Sequence, residues 1–252
     1  MRIRIVVANI QSGIGVTKGY RQYLTSGWRY LFPHAGRGAM GAGTFLKLEE
    51  ADIALLTEVD AGSRRSKGVS QLEVMATEST LDHYQFFPTR NVGTSINEGN
   101  AVLSRFPITA HRSYSLRSNV NPRVLGETEI SLSDNKKITV LVAHLALGER
   151  SRETQLAEIA AYVKDHDSPL VLGGDFNERD HRSFKILKKA GLTPVSLAGY
   201  PSWKPVYALQ VLFHSHHFTN VHASLPVGAR FSDHLPLIVE TDVYEDPIEE
   251  FP

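Results

Sequence analysis

The sequence predicts an α/β fold, one continuous domain built on two packed β-sheets. Three observations carry this. Runs rich in Val, Ile and Leu recur from end to end, too many for one small sheet. Helix-period stretches lie between some of them. No Pro/Gly/Ser-rich linker separates the early strands from the late ones, so 1–252 reads as a single unit.

In chain order, the expected strands are Arg2 to Ala8, Asp52 to Thr57, Asn100 to Leu103, Val124 to Leu132, Lys137 to Ala143, Leu170 to Gly174, Tyr207 to Phe213 and Leu235 to Glu240. The clearest helix is Ser151 to Lys164, where Leu156, Ile159, Ala160 and Val163 fall on one face. Ser183 to Lys189, closed by Gly191, is a second, and Thr44 to Glu50 and Gln71 to Glu78 are two more. There is no internal repeat.

The segment from about 13 to 43 departs from this pattern. Eight glycines between Gly13 and Gly43 alternate with Tyr20, Tyr23, Trp28, Tyr30 and Phe32. A loop of that length is usually functional or disordered, and the aromatics weigh against disorder. Two readings stay open: an insertion whose Arg21, Arg29 and Arg37 neutralise a phosphorylated ligand beside stacking rings, or one that packs its aromatics on the core.

Composition removes several classes. With 27 basic and 27 acidic residues the net charge is zero, which weighs against coating nucleic acid by bulk charge. The charge is nevertheless graded: Met1 to Leu48 holds seven Lys or Arg and no acid, and the tail at about 240–252 holds six acids and no Lys or Arg. The absence of cysteine excludes disulfides and thiolate metal sites, so any metal must take oxygen or imidazole ligands. No apolar run approaches the roughly 18 residues of a membrane span, and Asn9 interrupts the first apolar stretch, so the expectation is a soluble, cytoplasmic chain without stable membrane insertion.

Chemistry gathers at strand ends. Gly173-Gly174-Asp175-Phe176-Asn177 follows Leu170-Val171-Leu172, so a carboxylate and a carboxamide two residues apart point the same way. By itself this is also the pattern of an Asx turn. Asn9, Glu58 and His144 end three other strands, and Ser232-Asp233-His234 opens the last. Together they form the inventory for an oxygen-ligated divalent ion beside an anionic substrate.

The ordered set Asn9, Thr57-Glu58-Val59, Gly99-Asn100-Ala101-Val102-Leu103-Ser104-Arg105-Phe106-Pro107-Ile108, Ala143-His144-Leu145, Gly173 to Asn177 and Ser232-Asp233-His234 resembles the endonuclease/exonuclease/phosphatase superfamily of metal-dependent phosphodiesterases. The match runs from Asn9 to Leu237. It implies a four-layer α/β sandwich, two central mixed sheets flanked by helices, with the site where strand ends of both sheets meet.

The resemblance also implies roles. Glu58 would bind Mg²⁺ or Mn²⁺, with Asn9 and Asp233 at or near the ion. Asp175, beside Asn177, would orient or deprotonate the attacking water. His234 would contact the scissile phosphate, and His144 would stabilise a phosphoryl oxygen or assist the leaving group. Arg29 and Asn100 are expected substrate contacts. In-line displacement needs a Lewis acid, a positioned water and donors for developing charge, and this set supplies all three.

Two positions depart from the family pattern. Gln210, in Ala208-Leu209-Gln210-Val211-Leu212, stands where members commonly have an Asp that orients the catalytic His, and is expected to face His234 with a neutral amide. Gln11 replaces a residue associated with a second metal. Lesser features are His214, His216, His217 and His222 near one strand end, the basic turn Ser63-Arg64-Arg65-Ser66-Lys67, and Arg152 with Gln155 as support behind the site. The expected partner is a phosphate-ester substrate, nucleic acid first, with a phospholipid or phosphoinositide, or a degenerate phosphate-binding relative, as alternatives. The sequence leaves the oligomeric state open.

Overall fold

The computed structural model describes residues 1–30, 37–118, 120–133, 135–226 and 228–244. Phe32 and Gly36 of the aromatic segment and 245–252 of the acidic tail lie outside them. Among the described residues no helix is long and apolar enough to cross a membrane.

Twelve strands form two six-stranded sheets. The first contains β1 (Arg2–Asn9), β2 (Ile53–Asp60), β3 (His83–Val92), β4 (Ile96–Ser104), β11 (Phe218–Ser224) and β12 (Leu237–Val243), in the order β11-β12-β1-β2-β4-β3. The second contains β5 (Ile108–Leu116), β6 (Arg123–Ser133), β7 (Lys136–His144), β8 (Leu170–Asp175), β9 (Thr193–Val195) and β10 (Gln210–His214), in the order β5-β6-β7-β8-β10-β9. Each sheet has one parallel pair at its centre, β1 with β2 and β7 with β8, and antiparallel neighbours outside.

Strand alternation builds the layers. Ile3, Ile5 and Val7 of β1 point between the sheets, where they meet Ile53, Leu55, Val140, Val142, Val171 and Leu212. Val6 and Ala8 point outward onto α2 (Arg37–Leu48) and α3 (Gln71–Glu78) through Ala39, Ala42, Leu46, Leu72 and Met75. The outer face of the second sheet is covered by α4 (Glu149–Val163), α5 (Lys185–Lys189) and the 3₁₀ turn Arg182–Phe184 before it, through Leu156, Ile159, Leu187 and Phe184. The architecture is the four-layer sandwich. Strands buried on both faces read as continuous apolar runs, which is why these were visible in the sequence.

One expectation needs correction. The stretch 13–43 is not one long loop. It holds α1 (Arg21–Ser26), a 3₁₀ turn (Gly27–Tyr30) and the first half of α2, which starts at Arg37 rather than at Thr44. Glycines lower helix propensity, but here they permit close approach: a Cβ on Gly43 would stand 2.7 Å from Glu78 Cβ of α3. The charge gradient is partly cancelled by pairing, because antiparallel β12 sets Glu240 against Arg4, and its carboxylate takes Arg4 at 2.7 Å and Arg2 at 2.5 Å.

Candidate active site

Parallel pairing fixes the location of the site. In a parallel pair both C-terminal ends lie at the same sheet edge, and the registers Asn9 opposite Thr57 and His144 opposite Asp175 bring four strand ends together across the two sheets. The antiparallel neighbours enter at that edge: Gln210 opens β10 opposite Asp175, and Asp233-His234 precede β12.

Local backbone aims the side chains. Glu58 sits at a register shift between Leu56 and Val59 with φ 56°, an irregularity that turns its side chain out of the strand alternation. Gly174, with φ 149°, has the Ala143 carbonyl 1.8 Å from the place a Cβ would occupy, so only glycine lets β8 approach β7 this closely before Asp175.

Asn9 is the hub. Its Nδ2 donates to Glu58 Oε1 and Asp175 Oδ2, both at 3.0 Å, while its Oδ1 accepts from the Gln11 N–H at 2.9 Å. Asp175 Oδ1 accepts from the Asn177 N–H at 3.0 Å. Asp175 Oδ2 stands 3.7 Å from His234 Nε2 and 4.0 Å from His144 Nε2. Tyr23 of α1 donates its hydroxyl to Asp233 Oδ2, and Tyr200 lays its ring against the His234 imidazole with centroids 4.5 Å apart. Glu58, His144, Asp175, Asn177, Tyr200, Asp233 and His234 line a cleft of about 590 Å³ that also takes in Arg123, Arg152, Arg179 and Arg182.

The electrostatics separate the acids. Burial, then the carboxylates of Glu98 and Asp233, pushes the Glu58 carboxyl up to about 8 against the Asn9 hydrogen bond. Burial also acts to raise Asp175, but the two imidazoles and the bonds from Asn9 and Asn177 outweigh it and hold Asp175 below the usual carboxylate range. Burial and the neighbouring Arg123 guanidinium push His144 down to about 3, so it is a neutral imidazole at physiological pH.

The structure therefore brings together Asn9, Glu58, His144, Asp175, Asn177, Asp233 and His234. It does not bring Arg29 or Asn100 to the cleft. Arg29 donates to the Ile14 carbonyl at 2.9 Å and lies against Trp28. Asn100 is buried, bridging the sheets through the Val124 carbonyl at 3.2 Å.

Gln210 does not face His234 as expected. Its side-chain oxygen accepts from the Asn9 N–H at 2.6 Å and its nitrogen donates to the Leu235 carbonyl, the amide orientation in which both contacts are hydrogen bonds. His234 Nδ1 is buried without a partner among the described residues. Gln11 is buried and ties the Val16 N–H at 2.9 Å. Arg65 is no surface residue of a basic turn: it is fully buried, paired with Asp60 at 2.9 Å and Glu98 at 3.2 Å. Gln155 accepts from the Ala146 N–H, and Arg152 donates to the Leu147 carbonyl, bracing the loop after His144. The four late histidines form no metal group among the described residues.

Sequence reasoning missed Tyr23 as a partner of Asp233, and Tyr200 and Arg123 as cleft residues. Only the unusual aromatic density of 13–43 pointed toward the first. The other two lie in segments whose approach to the site is set by tertiary packing.

Two six-stranded sheets packed face to face, with carboxylates and imidazoles gathered at strand ends of both, define the class: a four-layer α/β sandwich with a composite polar site at one end. The chain belongs to the Endonuclease/Exonuclease/phosphatase family, whose sequence model matches residues 9–234. It is similar to YbhP of Escherichia coli (strain K12), an uncharacterized protein, with 29% identity over 216 residues, covering 75% of this chain and 83% of that one. Among solved structures it resembles the endonuclease/exonuclease/phosphatase of Beutenbergia cavernae DSM 12333, with a TM-score of 0.74 at 19% identity over 98% of this chain and 73% of that one. The mannosyl-6-phosphatase Bt3783 of Bacteroides thetaiotaomicron VPI-5482 shares the fold, with a TM-score of 0.68 at 16% identity over 95% and 99%.

Proposed function

We propose that the chain is a Mg²⁺- or Mn²⁺-dependent phosphodiesterase, with nucleic acid as the leading substrate class. One observation carries this reading: Asp175, held below the usual carboxylate range, stands between two imidazoles and beside a Glu58 that burial and the neighbouring carboxylates keep protonated.

The donor set suits a hard cation. Among the described residues no three His, Asp or Glu side chains stand in liganding geometry, but Mg²⁺ is commonly held by one or two carboxylates with the remaining positions filled by waters and substrate phosphate. Glu58 and Asp233 would hold the ion, with Asn9 orienting Glu58 as a hydrogen-bond donor. The bound ion supplies Lewis-acid polarisation of the phosphoryl group.

The chain's own groups do the rest. Asp175 accepts a hydrogen bond from the attacking water and draws its proton as the new O–P bond forms. The P–O bond to the leaving group breaks on the opposite side, and the departing oxygen is protonated from solvent at the cleft mouth. Neutral His144 donates a hydrogen bond to a phosphoryl oxygen, and His234, braced by Tyr200, donates to another.

A second reading, a phospholipid headgroup substrate, is favoured by one specific feature: Tyr20, Leu24 and Trp28 are exposed at four-residue spacing over α1 and its 3₁₀ extension, within the acid-free first 48 residues. A turnover panel separates the two. Plasmid DNA, abasic oligonucleotide, RNA, phosphoinositide and sphingomyelin are each incubated with Mg²⁺ or with EDTA. Cleavage of a polynucleotide only with Mg²⁺ supports the leading reading, release of headgroup supports the second, and absence of turnover on all five overturns both.

A further inference from the structure

Helix α1 and its 3₁₀ extension turn large apolar side chains to solvent. Tyr20, Leu24 and Trp28 follow one another at four-residue spacing and are 62%, 88% and 49% exposed. Half-buried Trp203 enlarges the patch from a second segment, its ring standing edge-on to Tyr20 with centroids 5.1 Å apart. The two tryptophans of the chain, Trp28 and Trp203, thus both belong to this surface. The inward side of the helix is engaged, since Ser26 is buried and Tyr23 donates to Asp233. A single exposed leucine is ordinary on a folded surface. Aromatic and aliphatic groups gathered on one outward side, with no covering element among the described residues, mark a contact surface.

The charges beside the patch say what it contacts. Lys18 and Arg21 flank it on the helix, and Lys204 follows Trp203. All three are exposed, and among the described residues none of their side chains has a hydrogen bond or an ion pair. Neither 1–48 nor 201–207 contains an acid. A second copy of this chain is a poor partner, because a two-fold contact of α1 on α1 would bring Lys18 and Arg21 of both copies together. Nucleic acid could use the cations and the rings, but it offers nothing to Leu24, the most exposed member of the patch. An anionic bilayer answers all three features: acyl chains for Leu24, the interfacial layer for Tyr20 and Trp28, and negative headgroups for the free cations.

We infer that α1, its 3₁₀ extension and the Trp203 segment dock the chain reversibly on an anionic bilayer surface. Docking sets the catalytic cleft beside the headgroup layer, because Tyr23, the neighbour of Leu24, reaches Asp233, and Tyr200, three residues before Trp203, lies against His234. Docking of this kind goes beyond the hydrolase reading and holds whichever ester the cleft takes.

Co-sedimentation with vesicles of equal parts phosphatidylcholine and phosphatidylglycerol, against vesicles of phosphatidylcholine alone, tests docking without turnover. The unmodified chain is expected to pellet with the anionic vesicles and to be released by high salt. Leu24→Glu should weaken that binding about tenfold or more, and Lys18→Gln and Arg21→Gln about fivefold each. Vesicles with brominated acyl chains should quench the emission of Trp28 and Trp203 in the unmodified chain, a readout that needs no variant. Absence of binding to the anionic vesicles, binding without quenching, or full binding by Leu24→Glu overturns docking through α1. A dimer that Leu24→Glu converts to monomer, seen by sedimentation velocity, would assign the patch to a second copy and also overturn it. Turnover of a phosphate ester by a chain that ignores vesicles would remove docking and leave the hydrolase reading. Quenched, Leu24-dependent binding by a chain that hydrolyses nothing would support docking and remove that reading.

Discussion

The side-chain oxygen of Gln210 accepts the main-chain N–H of Asn9 at 2.6 Å, while its nitrogen reaches the Leu235 carbonyl. One neutral amide thus joins three strand regions, the end of β1, the start of β10 and the approach to β12, at the point where the two sheets meet. A carboxylate could accept from Asn9 but could donate nothing to Leu235, so glutamine is the residue that satisfies both buried groups.

This leads to the first prediction. Gln210→Asp shortens the side chain and leaves the Leu235 carbonyl unpaired, a loss of about 1–3 kcal/mol. Urea denaturation should show that loss, and activity should not rise at any pH. A gain on the alkaline side would mean that position 210 acts on His234 after all.

Glu58 makes stability depend on pH in the metal-free chain. Its carboxyl ionises near 4.5 when unfolded and near 8 in the native site, so the unfolded state loses its proton first. The contribution is fully present below pH 4.5 and is lost as pH rises towards 8. Glu58→Gln removes that loss. In EDTA the variant should match the unmodified chain near pH 4.5 and exceed it near pH 8 by about 1–3 kcal/mol, after allowance for solvent screening at the cleft. Parallel denaturation midpoints across that range would contradict the assignment.

Tyr23 reaches Asp233 from α1, so the aromatic segment touches the proposed ion site directly. Tyr23→Phe removes the hydroxyl and keeps the ring against Trp203. Mn²⁺ affinity, followed by electron paramagnetic resonance, should fall about tenfold or more, with the melting temperature little changed. Unaltered Mn²⁺ binding would show that Asp233 needs no orienting donor.

Gly174 is a structural requirement of the site. Gly174→Ala places a Cβ against the Ala143 carbonyl at a φ that L-residues rarely adopt, and should cost more than about 4 kcal/mol or prevent folding. Gly228→Ala, which meets no atom within 4 Å, should stay within about 0.5 kcal/mol. Soluble yield and urea denaturation of the two variants separate packing at the β7–β8 junction from a general effect of losing glycine.

The eight strands legible in the sequence are the eight interior strands of the two sheets, β12, β1, β2 and β4 in one and β6, β7, β8 and β10 in the other. The four that were not legible, β3, β5, β9 and β11, are the four edges. An interior strand is paired along both flanks, and most here are also covered on both faces and so written in Val, Ile and Leu, while β6 alternates buried with partly exposed residues. An edge strand is solvated along one side and carries residues such as those of His83–Val92 and Ile108–Leu116, whose polar character hides the strand period.

The residue types of the site were equally determined by sequence, because acids, amides and imidazoles at strand ends have little to do in a core. Their relations were not. That Asn9 bonds Asp175 across 166 positions, that Arg65 turns inward to Asp60 and Glu98, that Glu240 neutralises Arg2 and Arg4, and that Arg123 Nε is buried without an acceptor among the described residues are all decided by which strands lie side by side. Periodicity reports how each segment meets solvent. Hydrogen-bond partners and shifted ionisations depend on distances between segments far apart in the chain, and those exist only once the two sheets have packed.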